Sequence, residues 1–132
     1  MTEHNHAVIW IDHHEAKVFR FNAEDVDHLV IKAQDPHAHL HHKANSIGAG
    51  HLAEDQKFLH SVVEAIRAAH AVLITGPGLA KTALIKHIAS HDPSFMERVA
   101  GVETVDHPSD GALVAHARTY FKAADRRTPQ KL

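Results

Sequence analysis

The chain has no cysteine among its 132 residues. A disulfide framework is therefore excluded, and so is any thiolate metal site. It has no apolar run near the roughly 20 residues that a membrane-spanning helix needs. Met1 to His6 is polar, so no secretory signal is expected ahead of the first apolar run. Neither sign of charge dominates, with 14 lysines and arginines against 16 aspartates and glutamates. That balance argues against a constitutively basic nucleic-acid clamp. There is no internal repeat. The expectation is a cytoplasmic protein without membrane contact, held together by packing alone.

Histidine is what the chain has in excess, with 16 in all. Free imidazole titrates near pH 6.5. The formal charge of −2, counted with histidine neutral, therefore swings positive over about one pH unit. Five of the most closely spaced cationic or titratable positions are His37, His39, His41, His42 and Lys43, so the swing is local as well as global.

A chain of this length fits one domain, which buries roughly two-thirds of the surface it exposes when unfolded. Ala7–Ile11 is a nearly continuous apolar run, as in a strand covered on both faces. Asp12-His13-His14-Glu15 reads as a turn. Ala16–Phe21 follows as a strand, with Lys17, Phe19 and Phe21 alternating against Val18 and Arg20. A polar turn over Asn22–Asp27 leads to a third extended segment, His28–Ala33. Three strands joined by short turns make an antiparallel meander.

Residues 34–51 carry no apolar period and include Pro36, Gly48 and Gly50, which predicts a long loop; such loops tend to be functional or disordered. A helix follows Gly50-His51, with Leu52, Leu59, Val62, Val63 and Ile66 on its buried face. Ala71–Thr75 is a buried strand. Gly76-Pro77-Gly78 connects it to a helix over about Leu79–Ser90, with Leu84, Ile85 and Ile88 turned inward and Asp92-Pro93 ending it. Val99–Val105 is the last strand. Pro108-Ser109-Asp110 starts a final helix that buries Leu113, Val114, Ala117 and Phe121. The order βββ-α-β-α-β-α predicts an α/β domain over 1–125, whose later strand–helix units form a parallel part of the sheet. A polar, frayed tail is expected over 126–132.

Several local motifs then resemble a known family. They are Ala7-Val8-Ile9-Trp10-Ile11-Asp12 with Glu15-Ala16, and Asp35-Pro36-His37-Ala38-His39-Leu40-His41-His42-Lys43. Leu73-Ile74-Thr75-Gly76-Pro77-Gly78 with Ala80-Lys81 is another, as is Val102-Glu103-Thr104-Val105-Asp106-His107-Pro108-Ser109-Asp110-Gly111. Together they resemble the short bacterial proteins called translational machinery proteins. More loosely, they resemble the middle domain of archaeal and eukaryotic peptide-release factors and of Pelota. The resemblance implies a ribonuclease-H-like mixed sheet of five strands flanked by helices. It also implies that the loop after the third strand is where release factors carry Gly-Gly-Gln, the motif that promotes peptidyl-tRNA hydrolysis. Residues 35–51 contain no Gly-Gly-Gln: Gly48-Ala49-Gly50 has no glutamine after it, and Gln56 falls inside the predicted helix. What the resemblance implies is thus a ribosome- or RNA-associated role, with ribosomal RNA or tRNA as partner, and no enzymatic step.

Four groups of residues compete for a chemical role. In the first, His37, His39 and His41 share one side of an extended stretch, with His42 and Lys43 beside them and His51 at the loop's end. Protonated imidazole and lysine pair with phosphate, and neutral imidazole stacks on unpaired bases. These residues are the expected RNA contact, with Gly48 and Gly50 as hinges. Imidazole is also a common ligand of zinc or nickel, so His37, His39, His41 and His42 carry a metal-binding alternative. A solvated polar loop is the bland reading, and no cofactor is expected under it or under the RNA reading.

The second group, Gly76-Pro77-Gly78-Leu79-Ala80-Lys81-Thr82, sits like a phosphate-binding loop. It has Ala80 where the second glycine belongs, and Pro77 lacks an amide donor, so a tight strand-to-helix connection is expected instead. The third is a nuclease-like set, Asp12, Asp35 and Asp106, each near a strand end, where aspartate also serves turns and helix starts. The fourth is His87 and His91, one helical turn apart, which could chelate a metal but read as surface residues near a fraying end. A homo-oligomer is left open by the sequence.

Overall fold

The structure is a computed structural model, and it describes residues 5–33 and 56–127. Three strands come first: β1 (His6–Ile11), β2 (Glu15–Phe21) and β3 (Val26–Lys32). Helix α1 covers 56–66. Then come β4 (Ala71–Gly76), α2 (Ala80–His91), a 3-10 segment (Pro93–Arg98), β5 (Val99–Thr104) and α3 (Asp110–Arg127). The strands form one sheet in the order β3-β2-β1-β4-β5. β1, β2 and β3 pair antiparallel, whereas β1–β4 and β4–β5 are parallel. This is the mixed five-stranded α/β sheet that the sequence predicts.

The continuous apolar runs are explained by helices on both faces of the sheet. On one face Ala7, Ile9 and Ile11 of β1, Ala16 and Val18 of β2, and Val72 and Ile74 of β4 pack with Val62 and Ile66 of α1 and Leu84 and Ile88 of α2. On the other, Val8, Trp10, Phe19, Phe21 and Leu73 pack with Leu113, Val114, Ala117 and Phe121 of α3. A strand in the middle of such a sandwich has no solvent side, so its positions are apolar or satisfied internally: buried Thr75 of β4 donates its hydroxyl to the Ile9 carbonyl at 2.7 Å. β3 sits at the edge and reverts to alternation: Leu29 and Ile31 are half-buried, while Val26 and Val30 are 46% and 44% exposed.

Short side chains close the turns. Asp12 Oδ1 accepts the backbone amides of His14 and Glu15 at 2.8 and 2.9 Å. Asn22 Oδ1 accepts those of Glu24 and Asp25 at 2.9 and 2.7 Å. These are Asx-type turns, in which a side chain imitates a backbone acceptor. The second is tighter than expected, so β3 starts at Val26 rather than His28. Ser109 Oγ accepts the amide of Ala112 at 3.1 Å and caps α3. That helix runs on through Arg126 and Arg127, into the segment read from sequence as tail. The 3-10 segment was not expected; it places Phe95, 4% exposed, into the core beneath α1 and α2. Among the described residues, no helix is long and apolar enough to cross a membrane.

Candidate functional site

The residues expected to contact RNA or metal, namely His37, His39, His41, His42, Lys43 and His51, lie outside the described residues, as do the hinges Gly48 and Gly50. What the structure gives is the pair of ends from which that segment departs. At one end the Ala33 amide donates to the His14 carbonyl at 2.8 Å, fastening the exit from edge strand β3. At the other end Gln56, in the first described turn of α1, accepts a hydrogen bond at Oε1 from His87 Nδ1 at 2.7 Å. The described residues on either side of it thus belong to the sheet edge and to a helix that packs on the sheet.

The remaining candidates can be placed directly. Gly76 ends β4 so close to β1 that a Cβ there would run into the Ile11 carbonyl oxygen, while one on Gly78 would meet nothing. Lys81 Nζ donates to the Gly78 carbonyl at 2.7 Å, so the lysine closes its own loop. These contacts make the segment a tight connection, as expected. Of the three aspartates, Asp12 is committed to its turn, Asp35 lies outside the described residues, and Asp106 pairs with His107 Nδ1 at 2.9 Å. Among the described residues no group of three or more acidic or imidazole ligands is placed to hold a metal ion.

His87 and His91 are brought together, but as a stack. Their ring centroids are 4.3 Å apart with planes inclined by 21°. His91 Nδ1 donates to the His87 carbonyl at 3.2 Å. Nor are both on the surface: His87 is only 6% exposed. Burial, with His91 and His60 as like-charged neighbours, pushes its imidazole below the usual histidine range.

A shallow cleft of about 420 Å³ lies at the start of α3, lined by Val105, Asp106, His107, Pro108, Leu113 and His116. Trp10 lies beneath it and donates Nε1–H to the Asp106 carbonyl at 2.6 Å, with the His107 ring 4.9 Å away. His116 Nε2 is paired with Glu103 at 2.6 Å. The sequence marks this place only through the Val102–Gly111 motif and the candidate Asp106, neither of which predicts a cleft.

No protein-family model matches the chain, and no curated protein is significantly similar to it. Solved structures do match. The Pelota protein of Archaeoglobus fulgidus aligns over 86% of this chain with a TM-score of 0.58 at 11% identity. The Pelota protein of Thermoplasma acidophilum aligns over 86% with a TM-score of 0.56 at 16% identity. An archaeal translation termination factor, aRF1, aligns over 92% with a TM-score of 0.57 at 14% identity. The chain resembles the middle domain of release factors. At these identities the likeness is one of fold. This chain spans 30%, 31% and 38% of the lengths of those three proteins.

Proposed function

We propose that the chain is a cytoplasmic translation-associated factor that contacts ribosomal RNA or tRNA through its histidine-rich segment and does not hydrolyse peptidyl-tRNA. The observation that supports this reading is the fold shared with an archaeal translation termination factor, in a chain whose histidine-rich segment falls between β3 and α1. His37, His39, His41, His42, Lys43 and His51 supply cations for phosphate and flat rings for unpaired bases. Gly48 and Gly50 are the hinges this reading assigns to the segment, because glycine has the widest backbone freedom. Without Gly-Gly-Gln the segment offers no counterpart of the group with which release factors promote hydrolysis. Binding without chemistry is what its residues support.

Co-sedimentation with purified ribosomes tests this. Binding is expected at low salt. If about four phosphate contacts are made, affinity falls roughly 50- to 150-fold between 50 and 200 mM salt. Peptidyl-tRNA hydrolysis is expected to stay at background. Absence of binding at low salt and pH 6.5 would remove the proposal. Submicromolar zinc or nickel binding by calorimetry, abolished by replacing His37, His39, His41 and His42 with serine, would instead favour a metal-binding protein.

A further inference from the structure

Among the described residues, His87 is the one histidine that is buried. It sits on α2 between core residues Leu84 and Ile88 and faces α1. Its Nδ1–H is committed to Gln56 Oε1 at 2.7 Å. The His91 ring lies flat against it at 4.3 Å, and the His60 ring of α1 meets it edge-on at 6.4 Å. With Nδ1 of His87 and of His91 both acting as donors, a further proton on either ring goes to Nε2.

The surroundings supply little to balance such a charge. From α1 they are Gln56 and His60, and from α2 His91. Glu64 approaches His60 at 3.7 Å, and Asp92 follows His91 in the chain. Arg67 claims both carboxylates, at 2.7 and 2.6 Å.

We propose that His60, His87 and His91, closed against Gln56, form a proton-sensitive latch that holds the start of α1 on α2 at neutral pH and releases it on acidification. His60 and His91 each face His87, so His87 cannot be charged beside either protonated neighbour without repulsion, nor without losing solvation. The latched state keeps His87 neutral. Proton uptake therefore favours the open state, by up to about tenfold per pH unit for one linked proton. Gln56 directly follows the segment that contains His51, so the latch sets how firmly that end of the segment is anchored. The latch does not depend on what the segment binds.

The test is histidine titration by NMR together with amide hydrogen exchange at pH 7.5 and 5.5, corrected for the intrinsic effect of pH. His87 is expected to titrate below the ordinary histidine range. Exchange over 56–60 is expected to quicken across that titration, with β1 and β4 unaffected. In His87→Gln the two pH values are expected to give equal protection of α1. In His91→Asn, which leaves the core untouched, the His87 titration is expected to move up toward the ordinary value. An ordinary or raised titration of His87 in the wild type would overturn the latch. So would no movement in His91→Asn, or the same acid loosening of α1 in a folded His87→Gln.

Discussion

Trp10→Ala is expected to lower stability by about 3–5 kcal/mol, measured by urea denaturation followed by circular dichroism. The indole is 4% exposed and belongs to the core beneath α3. It also joins distant parts of the chain. Its Nε1–H donates to the Asp106 carbonyl at 2.6 Å across 96 residues of sequence, and Lys17 Nζ lies 5.8 Å from its ring centre. Removing the ring leaves a cavity next to α3 and frees the carbonyl that fixes the β5–α3 connection. Domains of this size are stable by about 5–15 kcal/mol in total, so the loss takes a large share of that margin. Trp10→Phe keeps most of the packing and loses the hydrogen bond, at an expected cost of about 1–2 kcal/mol. Similar losses in the two variants would contradict this account, because the ring's packing would then contribute little.

Gly76→Ala is expected to cost about 2–3 kcal/mol, while Gly78→Ala is neutral or stabilising by up to about 1 kcal/mol. The two glycines flank Pro77 and look equivalent in sequence. In the structure a Cβ on Gly76 meets the backbone carbonyl of Ile11, whereas one on Gly78 meets nothing within 4 Å. Backbone cannot rotate aside as a side chain can, so β4 and β1 must separate where their parallel pairing ends. Gly78 has no positive φ, so its conformation suits alanine. Thermal unfolding of both variants is the check. Equal destabilisation would mean that the loop, rather than the strand contact, demands glycine.

How much of this was legible in sequence depended on how local each cause was. β1 and β4 read as buried because helices cover both sides of them, and apolar runs of five and four residues signal that directly. The faces of α1 and α3 were also legible: Leu59, Val62, Val63 and Ile66, and Leu113, Val114, Ala117 and Phe121, are all buried. The start of β3 was misplaced because one side chain, Asn22, closes the turn in fewer residues than its polar composition suggests. Pro93–Arg98 was hidden because Asp92-Pro93 marks an end and says nothing of Phe95 beyond it. The sequence alone makes His87 a surface residue, because its burial comes from α1 packing over it, a contact 31 residues distant in sequence. The cleft over Trp10 depends on a similarly remote contact. The candidate binding residues were legible as composition, and the structure describes only the ends from which they depart.

The most direct measurement is ribosome binding by the wild type and by a variant with His37, His39, His41 and His42 all replaced by serine, each at pH 6.5 and 7.5. Imidazolium charge predicts tighter wild-type binding at pH 6.5. The variant is expected to bind at least about tenfold more weakly and to lose the pH difference, with its thermal stability unchanged. A variant that binds as tightly as the wild type at both pH values would show that the histidine-rich segment is not the contact.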